Sequence, residues 1–556
     1  MTLNSVRHAR EVAFQRQIER LDRRIQVWQV LSNRISWVRV AIALIGIVGG
    51  SWTGTRVNEP AGWVILVITL MLFTVVAWHH RRVERWIGIF RISRNLKSDQ
   101  LARMNLHWEQ LPAPVDVHVT RSLALDLDLT GPRSLHQLLD TTISRQGGQR
   151  LADWLVPAPP DLVKTDARQR LVRELVPLTR FRERFWLTFR LVLQERLEGD
   201  YLLQWLAVAF PSRRFRWALV IATALVALNL FLFILNVFAG LPPLWAIPLA
   251  IYAAFYLFNQ ALLGDVFRAL LRMDAELDRF RAILHYLETT SYAGHPALAE
   301  LCAPFREPGH SPSAQIRRIK IATAGVGLRS NPVLGLLLNL VLPWDFLFAF
   351  LADHYRAQVV QTLPRWVHVC YELDALLALA NFAYLNPGYT FPELAANARP
   401  VLLVEGLGHP LIPADHRICN DFSVDALGQV AIITGSNMAG KSTFIKTVGT
   451  NLCLGYAGAP VCAERWLSVP FRLHTCIRIT DSIVDGFSYF YAEVKCLKAL
   501  LNALESDDPL PLLYLIDEIF RGTNNRERLL GSRAFIRALV GKEGIGLLAT
   551  HDLELA

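Results

Sequence analysis

The stretch that decides the fold is Ala431–Thr443, AIITGSNMAGKST, in which a short apolar run leads into a glycine-containing turn. The turn fits the spacing G-x-x-x-x-G-K-[ST], with its glycines at Gly435 and Gly440. The residues that follow, FIKTVGTNLCL, indicate the start of a helix. A strand, a loop of converging backbone N–H groups and a helix N-terminus together favour phosphate binding. A chance match in a glycine-containing turn is the alternative, and the strand and helix on either side argue against it.

Individual residues of this loop have predicted roles, with ATP and Mg²⁺ as the expected ligands. Lys441 would neutralise the β- and γ-phosphates, and the Ser442 hydroxyl would bind Mg²⁺. The other loop positions are predicted to contact the nucleotide, and these are Gly435, Ser436, Asn437, Met438, Ala439, Gly440 and Thr443.

Two later strands end in polar residues that suit the same chemistry. The apolar run LLYLIDE (Leu512–Glu518) delivers Asp517, predicted to hold Mg²⁺ directly or through water, and Glu518, predicted to polarise the attacking water. The run GLLATHD places His551 at another strand end, where a γ-phosphate sensor would lie. An ordinary strand–loop boundary for the carboxylates and a structural role for His551 are the alternatives.

After Pro387 short apolar runs alternate with glycine-rich turns, which predicts an α/β domain, whereas the preceding residues have mainly helical spacing. The segment from about Gly408 to Ala556 resembles the ATPase domain of MutS-type proteins, the mismatch-repair branch of the ABC ATPases. The matching motifs, in order, are GHPLI (Gly408–Ile412), NDF (Asn420–Phe422), TGSNMAGKST (Thr434–Thr443), DSIVDGFSYFYAEV (Asp481–Val494), IDEIFRGTNNRER (Ile516–Arg528) and ATHDLEL (Ala549–Leu555). A weaker likeness at Leu127–Pro159 extends to the helical core and lever domain of that family.

The resemblance implies further properties of the site. Ser488, in the segment that matches the family's signature, would reach the γ-phosphate bound by the opposite subunit, so the expected active unit is a homodimer with ATP between the protomers. Where the family often stacks an aromatic residue on adenine, this chain offers Arg417 or Ile418. The resemblance also implies that the domain continues beyond Ala556.

Two regions upstream predict transmembrane helical hairpins. Residues 217–264 contain no charged residue, and GLPP (Gly240–Pro243) divides them into two spans of about 20 residues, the length that a bilayer core requires. The earlier pair, Val40–Trp52 and Gly62–Trp78, is separated by a polar connection, and its first arm is short. A buried hairpin in a large soluble domain is the alternative.

The positions of arginine residues predict the orientation of these hairpins. Arginines flank both hairpins on the side of the long polar segments, at Arg39, Arg81, Arg213 and Arg268 among others, so the positive-inside rule predicts that every large segment is cytoplasmic. We therefore expect a multi-pass protein of the inner or plasma membrane with a cytoplasmic ATPase domain.

Another apolar run, Asn331–Arg356, carries Asp345 near its middle. A charge at the centre of a span costs about 2.5–3.5 kcal/mol, so packed soluble helices are predicted there instead.

The chain is therefore predicted to be multidomain, with a helical lever and core, two transmembrane hairpins and a P-loop domain of the ABC type. The predicted boundaries are 1–36 for a cytoplasmic amphipathic helix, 37–80 for hairpin 1, 81–212 for the first part of the core, 213–264 for hairpin 2, 265–395 for the second part, and 396–556 for the ATPase domain. The seven scattered cysteines, without a C-x-x-C or a Cys/His cluster, argue against a zinc site or a disulfide framework.

Two functions remain open from the sequence. The first is a membrane-anchored MutS-like ATPase that couples a dimeric ATP–Mg²⁺ sandwich to conformational change and DNA binding. The second is a nucleotide-driven membrane assembly that acts on a protein partner and has no DNA role. The net charge of +10 suits either DNA or an anionic leaflet. Residues 1–120 lack the Phe-x-Glu triplet of mismatch readers, so the likeness does not extend to mismatch reading.

Overall fold

The structure is a computed structural model. It describes residues 3–119, 122–156, 159–191, 196, 203–204, 206, 212–307, 311–328, 332–436, 439–478, 489–520 and 524–555. The chain divides into two compact units. The first consists of Met1–Thr141, Leu151–Pro177 and Ala378–Ala556, and the second of Thr142–Arg150 and Leu178–Leu377.

The first unit begins with a hairpin of two long helices, α1 (Leu3–Arg56) and α2 (Glu59–Met104). Pro60 lies in the first turn of α2, where its missing N–H needs no partner. The predicted amphipathic helix and the first arm of the hairpin form one continuous helix, because no proline or glycine interrupts the sequence around residues 33–40. The shorter helices of this part are α3 (Ser122–Asp126), α4 (Leu135–Leu139) and α6 (Leu162–Leu175), and α5 (Arg145–Leu155) begins in the second unit and ends in the first.

Helices make up the described part of the second unit, and the last of them continues into the first unit. They are α7 (Thr179–Arg190), α8 (Ser212–Ala239), α9 (Ala246–Thr289), α10 (Pro296–Leu301), α11 (Pro312–Leu328), α12 (Pro332–Val341), α13 (Trp344–Val359) and α14 (Leu363–Leu385). The predominantly helical character predicted for the region before the α/β domain is confirmed.

Among the described residues, four helices, α1, α2, α8 and α9, are long and apolar enough to cross a membrane, by length and composition. Their apolar segments lie mostly on the surface of the protein, and large side chains such as Ile45, Met71 and Phe238 are exposed. Burial against other protein segments therefore does not account for most of this apolar surface.

Helices α12 and α13 are bent by 85° at a short break that contains Pro343. Asp345 is 1% exposed at the start of α13, and its carboxylate accepts a 2.7 Å hydrogen bond from the Tyr256 hydroxyl. Part of α13 is packed as predicted, whereas α12 exposes Leu336 and Leu337. Taken together, the bent pair is a fifth candidate span by composition.

The C-terminal part of the first unit is α/β, as predicted. Its strands are β1 (Glu393–Leu394), β2 (Leu402–Leu407), β3 (Asn420–Val424), β4 (Val430–Thr434), β5 (Arg465–Ser468), β6 (Arg472–Cys476), β7 (Leu512–Asp517) and β8 (Gly544–Thr550). Its helices are α15 (Lys441–Ala457), α16 (Tyr489–Leu504) and α17 (Asn525–Leu539). Short 3₁₀ turns occur at Trp108–Gln110, Ala303–Phe305 and Leu553–Leu555.

Two four-stranded sheets organise this part, a mixed sheet in the order β1-β5-β2-β3 and a parallel sheet in the order β4-β8-β7-β6. Strands β7 and β8 are almost wholly buried, as expected for the centre of a parallel sheet. Because β4, β8 and β7 are parallel neighbours, their carboxyl ends meet at one edge of the sheet. Thr434, Asp517 and Thr550, the last residues of these strands, therefore bring the three predicted site segments together.

Candidate functional site

The predicted phosphate loop connects β4 to α15. Gly440 caps α15 with φ +85°, a left-handed conformation that glycine adopts without strain. Lys441 begins the helix, and its ammonium group donates hydrogen bonds to the carbonyl oxygens of Gly435 at 2.6 Å and Ser436 at 2.9 Å. The ammonium group therefore lies over the loop. Asn437 and Met438, predicted to bind nucleotide, lie outside the described residues.

The two predicted magnesium ligands are in direct contact. The Ser442 hydroxyl, at the start of α15, donates a 2.8 Å hydrogen bond to a carboxylate oxygen of Asp517 at the end of β7. A hydroxyl and a carboxylate oxygen are hard ligands of the kind that Mg²⁺ prefers, usually alongside water and substrate phosphates. This donor set fits Mg²⁺, and Ser442 and Asp517 are the residues that would hold it.

Glu518 and His551 lie together beside this pair. Glu518 has φ +56°, an unusual backbone conformation for a residue other than glycine, and such outliers often occur at functional sites. The His551 Nδ1 atom is 3.3 Å from a Glu518 carboxylate oxygen, and its Nε2 atom is 3.2 Å from the Arg528 guanidinium. Arg528 in turn donates to both carboxylate oxygens of Asp552 at 3.0 Å. Arg528 thus orients a histidine that contacts Glu518, a role that the sequence did not reveal.

A cavity of about 550 Å³ opens beside the phosphate loop, within the usual range for small-molecule sites. It extends from Lys441 and Thr443 to Ile418, which is 81% exposed. His416 and Phe444 also line it, although no sequence motif predicts a role for either residue. The position of Phe444 directly after the GKST motif was an available signal.

Of the two residues offered for adenine stacking, only Ile418 lines this cavity. The Arg417 guanidinium donates to the Ile412 carbonyl oxygen at 2.6 Å and lies 5.6 Å from the centre of the Tyr389 ring. Arg417 is therefore engaged with neighbouring protein groups and is not a cavity-lining residue.

His409 also lines the cavity. Burial lowers the pKa of His409 to about 4. The imidazole is therefore neutral near pH 7 and adds no positive charge for a phosphate.

Two acidic residues that no sequence motif marks, Asp126 and Asp128, connect several parts of the site. The Asp126 carboxylate accepts hydrogen bonds from the Thr475 hydroxyl at 2.6 Å and from the Arg478 backbone N–H at 2.9 Å. Asp128 forms ion pairs with Lys446 of α15 at 3.1 Å and with the Arg478 guanidinium at 2.7 Å. The end of α3 and the residues just after it thereby contact both the phosphate-loop helix and the residues that precede the signature segment.

The signature segment itself is described only in part. Ser488 lies outside the described residues, so its role in a partner's site stays a prediction. Phe490, at the start of α16, is 41% exposed, and its ring centre lies 6.4 Å from that of Phe520. Glu493 is buried at 1% exposure.

The cysteine spacing argued against a zinc site or a disulfide framework and gave no sign of the one disulfide and the neighbouring histidine that the described residues contain. Cys476 and Cys496 are joined by a disulfide across 20 positions of sequence. The His474 Nε2 atom lies 3.7 Å from the Cys476 sulfur and 4.0 Å from the Cys496 sulfur. The cluster forms because α16 packs against β6, a tertiary contact that sequence spacing does not reveal.

Comparison with known proteins agrees with the MutS likeness. The family described as MutS domain V matches residues 431–556. The "DNA mismatch repair protein MutS" of Chlorobium phaeobacteroides is 34% identical over 210 residues, covering 36% of this chain and 23% of the relative. "DNA mismatch repair protein MutS 2" of Halobacterium salinarum is 32% identical over 206 residues, covering 36% of this chain and 23% of the relative. "Endonuclease MutS2" of Thermus thermophilus is 33% identical over 144 residues, covering 26% of this chain and 18% of the relative.

The chain thus matches less than a quarter of the length of these relatives. Within that limit, the matches show that residues 431–556 are similar to MutS domain V and that about a third of the chain is similar to MutS proteins.

Proposed function

Taking that domain as the premise, we propose that the protein is a membrane-anchored MutS-like ATPase that binds and hydrolyses ATP with Mg²⁺ in a homodimeric nucleotide sandwich. The observation that carries the enzymatic part is the 2.8 Å contact between Ser442 and Asp517 beside the Lys441 loop. The matched domain belongs to a family of ATPases, which supports the same reaction. Ser488 of each protomer would complete the partner's site.

Each side chain of the site has a distinct part in this reaction. When bound, Mg²⁺ supplies positive charge beside the transferred phosphoryl group. Lys441 and the N-terminus of α15 stabilise the negative charge of the phosphates. Glu518 orients the attacking water and accepts its proton, and His551 holds the Glu518 carboxylate in place through their 3.3 Å contact.

We further propose that α1, α2, α8 and α9 cross the inner or plasma membrane as two hairpins, with the ATPase domain in the cytoplasm. The exposed apolar side chains of these helices support insertion, since water would solvate them poorly. The arginines that flank the hairpins support the orientation.

Glu518→Gln tests the ATPase assignment. An amide keeps the size of the carboxylate but cannot accept the proton of water, so we expect ATP binding to be retained and turnover to be lost. The measurements are phosphate release and equilibrium nucleotide binding by detergent-solubilised protein. Glu543→Gln, an exposed position in the turn before β8, is the matched control and should hydrolyse ATP normally. Normal turnover by Glu518→Gln would remove Glu518 from its role.

The coupled activity is proposed to involve DNA, because relatives that match the ATPase region are named as DNA mismatch repair proteins. The alternative, a membrane assembly acting on a protein partner, is favoured by the restriction of these matches to about a third of the chain. Titration of duplex DNA at increasing salt separates the two, because binding through phosphates weakens steeply with salt. Negligible affinity even at low salt would reject the DNA function and leave the ATPase assignment intact.

A further inference from the structure

Cys476 and Cys496 occupy the two elements that border the signature segment. Cys476 is the last residue of β6, and Cys496 lies in α16. Their Cα atoms are 6.2 Å apart, a separation that a disulfide spans without backbone movement. The 19 residues between them include Ser488, which lies outside the described residues. The bond therefore closes a ring around the segment proposed to reach the partner's nucleotide.

The packing of α16 on β6 does not depend on the bond alone. Cys476 is 2% exposed and belongs to a buried apolar cluster with Leu497 and Leu500 of α16 and Tyr514 of β7. This cluster would hold the two sulfurs near each other when the bond is open. Cys496, by contrast, is only partly buried, so a small reagent approaches it first.

His474 gives the pair a proton acceptor. Residues two apart on a strand face the same side, so the His474 ring lies beside Cys476, and its Nε2 atom is within 4.0 Å of both sulfurs. Burial lowers the pKa of His474, so the imidazole is neutral near pH 7 and one of its ring nitrogens carries no proton.

From this geometry we propose that Cys476 and Cys496 form a thiol–disulfide exchange site that reacts with a small disulfide and controls the ATPase by restraining the signature segment. The control of turnover rests on the proposed function, because it concerns the same nucleotide site. The reagent class is a low-molecular-weight disulfide such as oxidised glutathione.

The reaction proceeds in two exchanges. Cys496 loses its proton to His474, and its thiolate attacks one sulfur of the small disulfide, which breaks that S–S bond and releases one small thiolate. The Cys476 thiolate then attacks the Cys496 sulfur, which breaks the mixed disulfide and releases the second small thiolate. Two protein thiols are oxidised, one small disulfide is reduced to two thiols, and those thiols take up the two cysteine protons.

The experiment uses the full chain in detergent, equilibrated with glutathione buffers of increasing oxidised fraction. Three quantities are measured at each point: the Cys476–Cys496 bond by differential alkylation and mass spectrometry, ATP binding, and turnover. We expect turnover to fall as the bond forms, by about fivefold or more, the lower end of typical coupling between two sites. ATP binding should change little, because neither cysteine lines the phosphate-loop cavity.

Variants separate this bond from general oxidation. Cys496→Ser and Cys476→Ala cannot form the bond, so in every buffer they should hydrolyse ATP at the rate of the unmodified chain with both cysteines as thiols. Using both variants guards against a folding defect in either one. Cys419→Ser removes an exposed free cysteine and should respond like the unmodified chain. His474→Ala should slow formation of the bond.

Three results would overturn the proposal: cysteines that stay reduced in every buffer, complete oxidation without a change in turnover, or one equivalent of zinc held by the reduced chain and lost in Cys496→Ser. The last result would indicate a metal site instead. Absence of turnover in the fully reduced, unmodified chain would count against the proposed ATPase, whereas the alkylation measurement would still decide whether the bond forms.

Discussion

Replacing Asp128 by Asn should loosen the connection between the phosphate-loop helix and the segment preceding α4. Asp128 is 34% exposed and pairs with Lys446, which is 16% exposed, and with Arg478, which is 50% exposed. Exposed ion pairs contribute about 0.2–1 kcal/mol each, and the less exposed Lys446 pair lies toward the upper end, so the variant should lose about 1 kcal/mol of local stability. Asp128 has φ +51°, which Asn tolerates well, so this change removes charge with little backbone strain.

Hydrogen exchange measured by mass spectrometry is the assay, because it reports local opening without requiring reversible unfolding of a large membrane protein. A loss of 1 kcal/mol should raise exchange in peptides from α15 and β6 by about fivefold. The difference should shrink at about 1 M salt, where screening acts over about 3 Å. Asp128→Ala should lose about 1 kcal/mol more of local stability than Asp128→Asn, because alanine tolerates a positive φ poorly.

Glu505→Gln, which breaks an exposed pair with Lys542, is the control and should leave exchange in the same peptides unchanged. Unaltered exchange in Asp128→Asn at low salt, or an increase that salt does not reduce, would refute the electrostatic account of this connection.

Three further predictions concern metal binding, pH and topology. Ser442→Ala removes a proposed Mg²⁺ ligand and should raise the Mg²⁺ concentration needed for half-maximal hydrolysis by about tenfold or more; an unchanged Mg²⁺ titration would contradict it. Burial lowers the pKa of His409 from 6.5 to about 4, so between these pH values the unfolded chain binds a proton that the folded chain excludes. The free energy of unfolding should therefore fall as the pH drops from 6.5 toward 4, by up to about 3 kcal/mol. His409→Gln should therefore flatten the pH dependence of the unfolding temperature in that range, and an equally steep profile would count against it. A membrane-impermeant thiol reagent applied to intact cells should label Thr55→Cys, exposed in the last turn of α1 near the tip of hairpin 1, but not the native exposed Cys419; the reverse pattern would invert the proposed topology.

Much of the α/β fold was predictable because its signals are local. The run that ends at Thr434 and the glycines after it specify a strand and a loop within a few residues. Leu512–Asp517 is continuously apolar, which predicts a strand buried on both faces of a sheet. The carboxyl-edge rule for parallel strands then brings Asp517 and His551 toward the loop without any further information.

The remaining features depend on contacts between residues far apart in sequence. Arg417 and Ile418 are adjacent, and the sequence gives either one as a residue beside the nucleotide. Arg417 contacts Tyr389 and Cys462, which leaves Ile418 to line the cavity. The Cys476–Cys496 pair similarly requires that α16 pack on β6. The continuity of α1 was missed for another reason: its polar and apolar halves differ in composition, and backbone hydrogen bonding does not stop at such a boundary.

Within the first unit, the long helices of hairpin 1 do more than present apolar surface. Arg103, near the end of α2, is 5% exposed and donates to the backbone carbonyl oxygens of Gln137, Leu138 and Asp140. These carbonyls belong to the end of α4, and the residues just before α4 include Asp128, whose carboxylate contacts the phosphate-loop helix.

A continuous set of contacts therefore leads from the nucleotide site to a helix whose other end is apolar and exposed. Contacts alone do not transmit a change, because coupling needs an element with two arrangements that both ends favour differently. The Asp128 ion pairs are suited to that role, since their partners lie on α15 and immediately before the signature segment, where nucleotide binding and partner engagement are proposed to act. Arg103, held by three carbonyls, is suited instead to carry such a change into α2 as a rigid connection.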